Sequence, residues 1–180
     1  MFAVYFSRPL TVGAYLQGKL TAFIGVTALI YLLPQVALHI GLAFLSEDGF
    51  VQYLGANLDV LWKVPLVTAA YLALHGGLVT AISSVVDRTG VAAAIFLGVL
   101  TAGGSIASRI GLLDVPFARW VTLLALDQHP RIVRDRIFEI TTADYPAVQA
   151  GFGVRTSVAA VLVVAALGVW WVYHRYRKLA

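Results

Sequence analysis

Between Lys19 and Glu47 the chain carries not one Lys, Arg, Asp or Glu. A run that long and that apolar suits the hydrocarbon of a bilayer, because about 20 apolar residues in a helix cover its thickness. Inside that solvent a single run must pair its own backbone groups, and a helix does so. Three more runs read the same way, so spans are expected over 20–45, 64–86, 91–108 and 156–173. Composition agrees. The 180 residues are 60% hydrophobic and 12% charged, against about 25% charged in a soluble domain, and mean hydropathy is +0.85. The expected fold class is all-α: one polytopic transmembrane domain over 1–180, a helix bundle of four spans with short interfacial or re-entrant helices. Pro34 lies inside the first span, where it removes a backbone hydrogen bond and predicts a kink.

Lys and Arg set the expected orientation. With the first residues in the cytoplasm, Arg8, Lys19, Arg88 and the tail His174-Arg175-Tyr176-Arg177-Lys178 all fall inside. The loop over 46–60 then lies outside, with Glu47, Asp48 and Asp59. Trp62, Trp170, Trp171, Tyr173 and Tyr176 stand near span ends, where interfacial rings belong. The region 114–150 fits this frame least well. Its apolar run over 120–126 is too short to cross, and Arg119, Arg131, Arg134 and Arg136 work against a strict positive-inside count. Helical spacing places Val133, Ile137 and Ile140 on one face, with Arg134, Asp135 and Arg136 elsewhere. Two readings stand: two short interfacial or re-entrant helices, or an ordinary external loop resting on the bundle.

Several chemistries are excluded or weakened. No Cys is present, so there is no disulfide framework, thiolate metal site or cysteine nucleophile. The net charge of +4 reads as topology, and no basic face with interleaved aromatics points to nucleic acid. Gly18-Lys19 is the sole Gly-Lys pair, and Leu20 stands where a phosphate loop needs Ser or Thr. The carboxylates are confined to loops, so no paired-carboxylate or Ser-His-Asp site can be built, and no enzyme activity is expected. His39 and His75 differ in depth by roughly 10 Å at 1.5 Å per residue. That spacing argues against a haem held by both; hydrogen bonds within the bundle are expected instead. No histidine pair has metal-ligand spacing. His75-Gly76-Gly77 marks a place where helices can approach closely. Gly98, Gly103, Gly104 and the neighbouring alanines do the same for the third span, within the chain or across a dimer.

The opening segment S-R-P-L-T-V-G-A-Y-L-Q-G-K cannot span. Pro9 fits a turn, Thr11 can cap a helix starting at Val12, and Lys19 can snorkel at the boundary. A turn, a short interfacial helix and then passage into the first span are expected. The plain reading is a juxtamembrane anchor. The residues Ser7, Arg8, Pro9, Leu10 and Thr11, then Tyr15, then Gly18 and Lys19, resemble a cytoplasmic loop of ATP-binding-cassette (ABC) transporter permeases of the type-2 exporter family. V-D-R-T-G over 86–90 and the basic tail are similar to that family too, while 114–150 matches it loosely. The resemblance implies a permease subunit that exports substrate. Its partners would be a separate cytoplasmic ATP-binding subunit touching Arg8–Lys19, a second permease copy or paralogue, and membrane lipid. ATP would be bound on the partner and no cofactor in this chain. It implies a multi-pass protein of a prokaryotic inner or cytoplasmic membrane. It also implies six spans, two of them before the loop, so the chain is expected to be a fragment or late-start form. The competing reading is a small membrane redox or scaffold protein holding haem or a partner in its helices.

Overall fold

The computed structural model describes residues 12–111, 113, 115, 117–141 and 144–177. Every regular element among them is helical. Four helices are long and apolar enough to cross a membrane, and the chain is a multi-pass membrane protein. They are α1 (Val12–Leu45), α3 (Val60–Val85), α4 (Thr89–Ile110) and α8 (Val154–Arg177). Short helices α2 (Phe50–Ala56), α5 (Ala118–Val121), α6 (Gln128–Ile137) and α7 (Pro146–Gln149) occupy the connections, with a 3-10 turn over Thr122–Leu124. Most large side chains of α1 and α4 are exposed, as expected of helices bathed in lipid.

α3 and α8 form the spine of the bundle. Two glycines bring them together. A Cβ on Gly77 would lie 2.7 Å from the Cα of Ala165, and one on Gly168 would strike the backbone of Gly77. The backbones therefore touch, which needs small residues on both helices. The close approach expected at Gly76-Gly77 occurs; Gly168, a lone glycine in its span with no mark in sequence, is its other half. Phe23 of α1 packs over Gly76. Thr80 turns its hydroxyl back to the carbonyls of Gly76 and Gly77, at 2.6 and 3.1 Å. A hydroxyl that would otherwise face hydrocarbon is thus paired inside its own helix.

α1 corrects one expectation. The short interfacial helix and the first span are one continuous helix, and it runs through Pro34. Gly13, Gly18 and Gly25 cost helix propensity but do not break it. The loop over 46–60 is also more ordered than expected. α2 folds back so that Phe50 meets Phe44 at 4.8 Å and Tyr53 meets His39 at 5.4 Å. α3 and α4 are joined by residues 86–88 alone and pack on each other.

Candidate functional site

Residues 117–141 and 144–152 carry short helices, as the first of the two readings expects, rather than an ordinary external loop. They form a lobe set into one end of the bundle. The carbonyl of Leu124 lies against Gly103 of α4. That point is about 10 Å along α4 from its Ile110 end, at ~1.5 Å per residue. α6 then packs on both α3 and α8. Gly103 thus receives the lobe's backbone, and a Cβ on Gly104 would lie 3.5 Å from an Asp127 carboxylate oxygen.

The expected face of α6 is corrected in the same place. Ile140 is 53% exposed, while Gln128, His129, Ile132, Val133 and Asp135 are buried. The helix ends at Ile137. Glu139 follows with φ 57°, and the Ile140 N–H reaches back to the Asp135 carbonyl at 2.8 Å. That left-handed ending removes Ile140 from the helical register. The carboxylate of Asp135, expected in a loop, is instead an interior group.

Polar side chains hold the lobe, and each has a partner. The Gln128 amide donates to the Thr122 carbonyl at 2.6 Å and accepts from the Ala147 N–H at 3.1 Å. It ties the 3-10 turn to α7. His129 is fully buried. Its Nε2 stands 3.0 Å from the Leu123 carbonyl and so must carry the proton; Nδ1 then accepts from the Ser157 hydroxyl at 3.3 Å. Burial pushes the His129 pKa down, opposed by the Leu123 hydrogen bond. Asp135 accepts from Arg134 Nε and Nη2 on one oxygen, at 2.7 and 2.6 Å, and from the Tyr145 hydroxyl on the other at 2.8 Å. The hydrogen bond to Asp135 raises the Arg134 pKa. Burial, then the bond to Asp135, raises that of Tyr145. Arg131 pairs with Asp127 at 3.2 Å.

Beside this lobe lies a cavity of about 250 Å³ between α1, α3 and α6. Its polar and aromatic wall is Tyr31, Gln35, Thr68, Tyr71, Arg134 and Phe138, backed by Val64 and Val67. The Tyr31 and Tyr71 rings stack at 6.0 Å. Lys63 pairs with Asp59 at 2.5 Å, and its ammonium stands 5.8 Å from the centre of the Phe138 ring.

The sequence-derived coupling residues sit apart from this lobe. Ser7, Arg8, Pro9, Leu10 and Thr11 lie outside the described residues. Tyr15, Gly18 and Lys19 fall in the first turns of α1, and Gly18 is exposed with open space around it. The histidines depart from expectation. His39 packs on Tyr53, and His75 on Tyr71 and Phe96 at 5.7 and 5.6 Å. Among the described residues they make ring contacts in place of the expected hydrogen bonds, and the hydrogen-bonded core histidine is His129. Among the described residues no group of His, Asp and Glu is placed to hold a metal. Thr68, Tyr71 and Arg134 had no sequence signal as a group, because α6 reaches α3 only through the folded lobe. No family model matches this chain, and neither a curated protein nor a solved structure does.

Proposed function

We propose that this chain is the membrane permease subunit of an ABC transporter, driven by ATP hydrolysed on a separate cytoplasmic subunit and moving substrate outward across a prokaryotic cytoplasmic membrane. The observation that carries the reading is the segment Ser7-Arg8-Pro9-Leu10-Thr11, then Tyr15, then Gly18-Lys19, placed directly before a long apolar run. The continuity of α1 from Val12 to Leu45 supports it. A push at the start of an unbroken helix is carried along the helix, whereas a hinge at Lys19 would absorb it. In this reading Arg8 offers a donor fork to the ATPase, Tyr15 is a rigid anchor, and Lys19 sets the depth of α1. A second copy or a paralogue completes the transporter.

The test is co-purification with the ATP-binding subunit. Tyr15→Ala and Arg8→Glu are expected to lower ATPase recovery about tenfold, the loss of one interface anchor. Membrane yield should stay at the wild-type level. A juxtamembrane anchor gives the opposite pattern, with full recovery in both variants and an insertion defect on changing Lys19.

A further inference from the structure

We infer that the cavity walled by Tyr31, Gln35, Thr68, Tyr71, Arg134 and Phe138 binds the anionic headgroup of an amphiphile whose tail stays in the bilayer. The inference goes beyond the transport reading and is tested on the full chain without an ATPase. Its first support is unspent hydrogen bonding. Thr68 is 6% exposed, yet among the described residues its hydroxyl has no protein partner, and no buried side-chain N or O is left unpaired in a dry place. Its hydroxyl therefore opens on the cavity it lines. The Gln35 amide and the Tyr31 and Tyr71 hydroxyls on the same wall likewise have no protein partner among the described residues. At membrane depth water does not supply one freely, and each unpaired group costs free energy.

Sign and size follow from the same wall. The described lining includes a guanidinium and no carboxylate. Asp135 takes two N–H groups of Arg134, out of five that a guanidinium offers. The Arg134–Asp135 pair sums to no net charge, but its cationic member lines the cavity and its anionic member does not. The hydroxyls and the amide can donate or accept, but the guanidinium can only donate, so an anion is favoured over a cation. A volume of about 250 Å³ holds roughly eight waters' worth of space at ~30 Å³ each. That admits one headgroup and no long chain.

Position supplies the tail. Gln35 and Tyr31 lie about 15 and 21 Å from the Leu45 end of α1, at ~1.5 Å per residue, and both are exposed on its surface. The cavity thus meets the bilayer on its α1 side, where an acyl chain can lie along α1. The headgroup can come from a lipid of the bilayer or from a free single-chain amphiphile.

Native mass spectrometry of the purified full chain in neutral detergent separates the sources. The probes are phosphatidylglycerol and phosphatidylcholine of matched chains, and oleate against methyl oleate. One retained anionic amphiphile per chain is expected. Phosphatidylglycerol alone identifies a bilayer lipid; oleate over methyl oleate identifies a site open to free amphiphiles. Arg134→Gln also strips Asp135 of its cationic partner, so Thr68→Val and Gln35→Leu decide, and each is expected to lower retention about tenfold or more, the worth of one hydrogen bond to a charged group. Arg131→Gln, outside the cavity, should retain as wild type does. Retention that ignores headgroup charge, or is unchanged in both Thr68→Val and Gln35→Leu, overturns the inference.

Discussion

His129 and Glu139 show how single residues fix the lobe. The neutral His129 ring is one donor and one acceptor, matched to the Leu123 carbonyl and the Ser157 hydroxyl. Protonation would leave two donors, with Nδ1–H aimed at a hydroxyl that must turn its own proton away, in a site without solvent. Its folded pKa is depressed by burial below the unfolded value of 6.5. The histidine's contribution is therefore complete above about pH 6.5 and is lost as pH falls through the lower folded value. His129→Gln keeps a donor and an acceptor without titrating. Its thermal midpoint in detergent should fall less than the wild type's between about pH 6.5 and 4.5; parallel curves would show that the ring does not govern acid stability. Glu139 sits at φ 57°, a region that glycine enters without the clash of a Cβ. Glu139→Gly is expected to raise stability by about 0.5 kcal/mol, the left-handed strain removed less the added chain entropy. A lower melting temperature in that variant would mean that the Glu139 side chain makes a contribution larger than the strain.

Helix contacts divide into those written in the sequence and those made by folding. The spanning helices were legible because hydrocarbon demands long charge-free runs, and the pattern needs no partner to be seen. Gly77 was legible for a similar local reason, as one of two adjacent glycines in a span. Its counterpart Gly168 was not, since a lone glycine among Ala166, Leu167 and Val169 carries no mark of what it faces. The lobe hid for a third reason. Its buried side includes Gln128, His129 and Asp135, so a hydrophobic count assigns that side to water. Only the matching of each polar atom to a distant partner makes it interior. Gly168→Leu should force α3 and α8 apart and cost about 2 kcal/mol, as overpacked helix contacts do. Gly98→Leu, whose added atoms meet open space, should melt as the wild type does. Equal melting of the two variants would show that the Gly77–Gly168 crossing is not held closely in the membrane.

At the scale of the molecule, four membrane-length helices, each crossing in turn, would bring the end of α8 to the side from which α1 enters. The permease reading names that side as the cytoplasm. The natural absence of Cys makes the assignment simple to test. A Ser46→Cys variant should react with an impermeant thiol reagent added outside, and a Gly90→Cys variant should react after the membrane is opened. The reverse pattern would invert the topology and remove the ATPase from reach of Arg8–Lys19. The lobe also has a place in time. Its supports come from helices made before it, α3 and α4, and from α8, made after it. Ser157 of α8 holds the ring of His129, and α6 lies on α8 as well as on α3. During synthesis the segment must therefore wait, His129 Nδ1 without the Ser157 hydroxyl and α6 without one of its two supports, until α8 has left the ribosome and joined the others. Chains stopped at residue 153 should expose their 117–152 region to added protease while full-length chains resist. α8 then acts as the latch by which a lobe held in place differs from one left open.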